Sequence, residues 1–212
     1  MKALSAEFIE QAYRKSENQL GWRFLSCPAR NLEGAKVAFV GLNPAGNGPE
    51  DRDGFAMPEG TSAYRDESWG GCAPGEAVLQ KQGLALVERL GERPENVLSG
   101  QFIPFRSPRL NKLKNLQFCL AFGEELWTGV FSSAKPELVV TLGFDTLPHM
   151  QRILGVESVE KMPVNWGNYS ARRGAFKGGT LIALPHLSTF KIMNRPQSAT
   201  ALDTLFEGAI CH

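Results

Sequence analysis

Lys36 to Gly48, KVAFVGLNPAGNG, is the stretch that most restricts how this chain can fold. Val37, Ala38, Phe39 and Val40 are apolar without alternation, the pattern of a strand covered on both faces, as in a parallel sheet. The run opens into Gly41-Leu42-Asn43-Pro44-Ala45-Gly46, where glycine and proline force a sharp turn. Strand ends of this kind are where α/β proteins hold ligands. Asn43 would sit at that edge with an amide donor and an acceptor.

The remaining pattern repeats the theme. A helix capped by Ser5 is expected to about Leu20, and others over Gly75–Gly91, Asn111–Phe131, Thr146–Leu154 and Pro196–Ile210. Strands are expected at Asn96–Phe105, Glu137–Leu142 and Thr180–Leu184. Strands alternating with helices predict an α/β class fold: a three-layer α/β/α sandwich around a four-stranded, mostly parallel sheet. Three strand ends then bring Asn43, Gln101 and His186 to one edge. The long segment Asn43–Pro74 reads as a functional loop, with Tyr64 to Trp69 as a candidate site wall or a core plug.

Whole-chain numbers narrow the chemistry. A length of 212 residues with 42% hydrophobic and 21% charged side chains predicts one domain, 1–212, with a sizeable core. No apolar run is long enough to span a bilayer, and the charged first residues lack a signal-peptide core, so a cytoplasmic protein without membrane partners is expected. Net charge is only +1, but residues 101–212 hold 12 Lys and Arg against 8 Asp and Glu, enough for local phosphate contacts. Cys27, Cys72, Cys119 and Cys211 form no CxxC pair, which argues against a zinc or iron–sulfur site. GxSxG, the P-loop, GxGxxG and the zinc-deaminase signature are all missing. Of three histidines, His186 alone stands at a strand end.

Three segments, GLNPAG (Gly41–Gly46), NVLSGQFIPFRSP (Asn96–Pro108) and PHLSTF (Pro185–Phe190), resemble the motifs of the uracil-DNA glycosylase superfamily in kind and order. GLNPAG is similar to the first-motif turn of its mismatch-specific and single-strand-selective members. PHLSTF is similar to the turn that carries the family's catalytic histidine.

The resemblance implies a DNA glycosylase, monomeric, with no metal or organic cofactor and with DNA as partner. Asn43 would hold the attacking water and His186 would donate to the base carbonyl as charge develops on the leaving base. Gly41, Leu42, Pro44 and Gln101 would line the base pocket, with Phe55 or Tyr64 stacking on the flipped base. Ala45, Gly46, Arg106, Leu187, Ser188, Phe190 and Lys191 would face DNA, Leu187 or Phe190 as the wedge and Ser188 on a phosphate. The chain departs from the family at Gln101, where many members have asparagine, and at Leu187, where the turn has proline. The first motif also lacks an aspartate, which implies weaker activation of water unless Asp66 or Glu67 substitutes. Two other readings stay open: a superfamily member that binds a nucleobase, nucleotide or nucleic acid without cutting, and a small-molecule hydrolase using His186 with Asp66 or Glu67.

Overall fold

In the computed structural model, residues 4–46 and 54–210 are described; the stretch 47–53 of the long loop, Cys211 and His212 lie outside them. The chain is α/β, with one mixed sheet of six strands. Helix α1 (Ala6–Ser16) starts where Ser5 Oγ accepts from the Phe8 amide and stops at Glu17, whose φ of 59° breaks the helix short of Leu20. Strand β1 (Val37–Gly41) is followed by the short α2 (Ala63–Asp66), α3 (Val78–Arg89) and β2 (Leu98–Gln101). Next come α4 (Leu116–Ala134), β3 (Leu138–Leu142) and α5 (Leu147–Leu154). The hairpin β4 (Glu160–Trp166) and β5 (Tyr169–Phe176) precedes β6 (Gly179–Leu184) and α6 (Ala199–Phe206).

The strand order is β2-β1-β3-β6-β5-β4. The first four strands are mutually parallel, and β5 and β4 continue the sheet antiparallel. The expected four-stranded, mostly parallel sheet is thus corrected to a mixed one. The β4–β5 hairpin carries few strand signals: Pro163 lies inside β4, Asn165 has a φ of 53° at a register shift, and Arg172-Arg173-Gly174 interrupts β5. Proline is tolerated there because β4 is an edge strand, with no partner on its far side to need that N–H.

Alternating residues of the parallel strands feed two cores. On one face Ala38, Val40, Val139, Leu181 and Ala183 meet Ile9 of α1, Phe122, Leu126 and Trp127 of α4 and Met150 of α5. On the other, Val37, Phe39, Val140, Ile182 and Leu184 meet Leu86 and Val87 of α3 and Leu202 and Leu205 of α6. The chain winds outward from β1 to β2 through α3 on the second face, then from β3 to β6 past α5 on the first. Winding direction therefore reverses between β1 and β3, and their carboxyl ends flank the crevice this topology opens.

The edge of β2 is covered by the chain before β1. Ser26 donates to the Ser99 carbonyl (2.8 Å) and Gln101 to the Phe24 carbonyl (3.0 Å). Among the described residues no helix is long and apolar enough to cross a membrane.

Candidate functional site

The turn after β1 is built largely by hydrogen bonds to the turn after β2. Phe102 and Ile103 donate from their amides to the carbonyls of Gly41 and Leu42 (2.7 and 2.8 Å), and Ser107 donates to Pro44 (3.1 Å). Asn43 Nδ2 donates to the carbonyls of Pro44 (3.0 Å) and Ser107 (2.9 Å). Both partners can only accept, so the amide orientation is settled: Nδ2 is consumed, and Oδ1 is left as an acceptor. Gln101 lies over Gly41, its Oε1 2.6 Å from where a Cβ would stand, which explains a glycine at the end of β1. Leu42 packs partly into the first core, Pro44 is buried, Ala45 is exposed and Gly46 is half-buried.

The end of β6 supplies the second group. Ser188 donates from its amide to His186 Nδ1 (3.4 Å), and its Oγ lies 2.7 Å from the same nitrogen. An amide cannot accept, so Nδ1 carries the lone pair and the neutral ring holds its proton on Nε2. Surrounding protein desolvates the ring and lowers the His186 pKa below its ordinary 6.5, opposed by the nearby charge of Asp145. His186 is nevertheless exposed by area, so Nε2–H belongs to a neutral donor at the surface of the sheet edge. Gly143, closing β3 between the two turns, has a φ of 129° that strains any side chain, and its would-be Cβ comes 3.4 Å from His186 Cδ2. Two strand spacings separate the ends of β1 and β6, about 10 Å. An acceptor and a neutral donor thus share one edge across a glycine floor, an arrangement able to hold water on one side and a developing anion on the other.

Several expected site residues are elsewhere. Tyr64 is buried, its ring edge-on to Trp69 (5.2 Å between centroids) and filling the space left by Gly83 in α3. Burial pushes its phenol pKa far up. The segment around it is therefore a core plug rather than a site wall. Leu187 is fully buried in the second core, because the 186–190 turn, closed by Thr189 and Phe190 amides on the His186 carbonyl, rolls it under the sheet edge. It is not a wedge. Arg106 is 4% exposed and donates to the Ala45 carbonyl (3.1 Å), bracing the turn from within instead of reaching outward. Asp66 pairs with Arg65 and the Ser62 amide, which hold its carboxyl below the usual range. Glu67 is gripped by both Arg23 guanidinium nitrogens (2.7 Å each) and by Trp69 Nε1 (2.9 Å). Neither carboxylate is free to activate water.

Others fit. Phe55 is partly buried against Phe24 (5.7 Å), whose carbonyl accepts from Gln101, so it stands one residue from the cleft. Phe190 is half-buried, and Ser188 and Lys191 are exposed beside His186. Missed from sequence were Gly143, Phe144 and Asp145 after β3 and the hairpin end at Trp166 and Tyr169. The Gly167-Asn168 pair between Trp166 and Tyr169 was the available turn signal. Among the described residues no group of three metal-ligating side chains gathers, and burial pushes the Cys27 thiol up to about 11. Compared with protein-family models and with curated proteins, the chain matches none.

Proposed function

We propose that the protein is a DNA glycosylase that hydrolyses the N-glycosidic bond of uracil or a related damaged base. The observation that carries this reading is the pairing of Asn43 Oδ1, left as an acceptor, with the fixed neutral Nε2–H donor of His186 on one sheet edge. The three short motifs that resemble the uracil-DNA glycosylase superfamily end on that same edge. Helices on both faces of the sheet also agree with the three-layer arrangement the resemblance implies.

As the bond to the sugar lengthens, negative charge moves onto the base and its carbonyl oxygen. A neutral donor held on a ring that Ser188 fixes at Nδ1 stabilises that oxygen with little reorganisation. Asn43 Oδ1 accepts from a water and holds it near the electron-poor sugar carbon. One water proton passes to solvent as the C–O bond forms, and the base leaves as an anion. Gln101, with a donor and an acceptor against Gly41, reads the base edge. The base reaches this cleft only by leaving its stack, with Phe55 as the ring for it to lie on.

The test is base release from single- and double-stranded oligonucleotides carrying uracil, hypoxanthine, xanthine or mismatched thymine, read by alkaline cleavage at the abasic site. Release from one of them, reduced about 10²–10³-fold in His186→Ala as for loss of an oxyanion donor and abolished in Asn43→Ala, supports the assignment. Release unchanged in both variants rejects these roles. No release from any substrate by folded protein favours the non-cutting nucleobase-binding reading.

A further inference from the structure

Two of the four large apolar residues exposed among the described residues stand at the sheet edge that carries His186: Phe144, next to Gly143 at the end of β3, and Tyr169, at the start of β5 and level with His186 in the β5–β6 register. Because β5 runs antiparallel to β6 with Arg172 opposite Ala183, its first residues project past the carboxyl edge that carries His186. Tyr169 is 52% exposed and leans on Phe190 with 4.3 Å between ring centroids. Phe190 in turn meets Trp166 edge-on at 6.2 Å. The Arg195 guanidinium lies 4.9 Å from the Trp166 ring centre and donates to the Asn165 carbonyl, while Asn165 Nδ2 donates to the Gln197 carbonyl (3.1 Å). These bonds tie the hairpin end to the loop that begins at His186. On the other sheet face Arg172 lies 5.3 Å from the centre of the Phe144 ring.

We propose that this hairpin end, Trp166 and Tyr169 with Phe190 and Arg195, is a stacking platform for an unpaired stretch of DNA next to the nucleotide held at His186. The proposal rests on the glycosylase reading and adds its substrate form, single-stranded DNA. The exposed Tyr169 and Phe144 rings, with guanidinium groups on Phe144 and Trp166 beside them, suit bases that are already unstacked, whose faces a paired duplex hides. Arg195, Arg172 and the exposed Lys191 supply positive charge for the phosphates between stacked bases. Phe144 with Arg172 takes the strand as it crosses to the opposite face.

The experiment is fluorescence anisotropy with a labelled single-stranded oligonucleotide of ordinary bases and with its duplex, so that no excision is involved. The wild type is expected to bind the single strand more tightly. Tyr169→Ala is expected to raise its Kd at least about fivefold, the lower end for loss of one base–aromatic stack. Tyr169→Phe is expected to restore binding, and Phe118→Ala, on the distant α4 surface, to leave it unchanged. Because Tyr169 is exposed, its loss leaves the cores intact; Arg195→Gln gives a second reading through a shallower salt dependence. Wild-type affinity in Tyr169→Ala, or a preference for duplex, overturns the platform even where base release is observed. Tyr169-dependent binding without release of any base sustains the platform and removes the glycosylase reading instead.

Discussion

A single proton position decides what His186 can do. The Ser188 amide keeps Nδ1 unprotonated, so protonating the ring both adds charge and breaks that bond. With the folded pKa lowered by burial, the ring is neutral at pH 7, and base release is expected to fall on an acid limb whose midpoint lies below 6.5. Stability follows the same sign. Between 6.5 and the lower folded value the unfolded chain holds the extra proton, so stability drops as pH falls through that window. Urea midpoints measured from pH 7 to pH 5 should decline less in His186→Gln than in the wild type. Gly41→Ala makes a second test: the new methyl meets only the end of the Gln101 side chain. Its melting temperature should stay near that of the wild type while base release and base preference change. That Asn43 and His186 come to one sheet edge was legible because each follows directly on a strand end. Leu187, Tyr64 and Arg106 mark the limit, because residue type in a loop does not say whether the backbone turns a side chain out or under.

At the scale of elements, the strands and helices that sequence revealed are those with unbroken apolar patterning, and β4–β5 escaped because its pattern is interrupted. The start of α4 moved for a similar reason. Asn115 takes a left-handed φ of 48°, which separates the Leu110–Lys112 turn from the helix proper. Helix α3 shows how an element is fitted to its neighbour. A Cβ at Gly83 would come 2.5 Å from the Tyr64 ring, a rigid group with no room to retreat. Gly83→Ala should therefore destabilise by about 1–3 kcal/mol despite the better helix propensity of alanine, measured by urea denaturation. Tyr64→Leu in the same chain should recover part of the loss. Breaking the Arg23–Glu67 pair with Glu67→Gln should loosen the 61–75 segment, seen as faster amide exchange there, because Arg23 and the Trp69 indole both lean on that carboxylate.

Across the whole molecule, order should fall off from the centre of the sheet outward. Strands β1, β3 and β6 are buried on both faces, whereas β4 alternates exposed residues and ends the sheet. Amide exchange is expected to be slowest in β1 and β3 and fastest in β4. The parallel strands with their α3, α4 and α5 connections close a doubly wound unit without the hairpin, which enters between α5 and β6 as a detour. That detour has a consequence for how the protein behaves in company. Without residues 157–178, β6 would become a bare, flat, apolar margin of Leu181, Ile182, Ala183 and Leu184, ready to pair with the same margin of another copy. The hairpin replaces it with an outer strand carrying Glu160, Lys161, Pro163 and a register shift, none of which favours a further strand. The same insertion that places Tyr169 beside the turn after β6 therefore also gives the sheet a charged, proline-bearing margin in place of an apolar one.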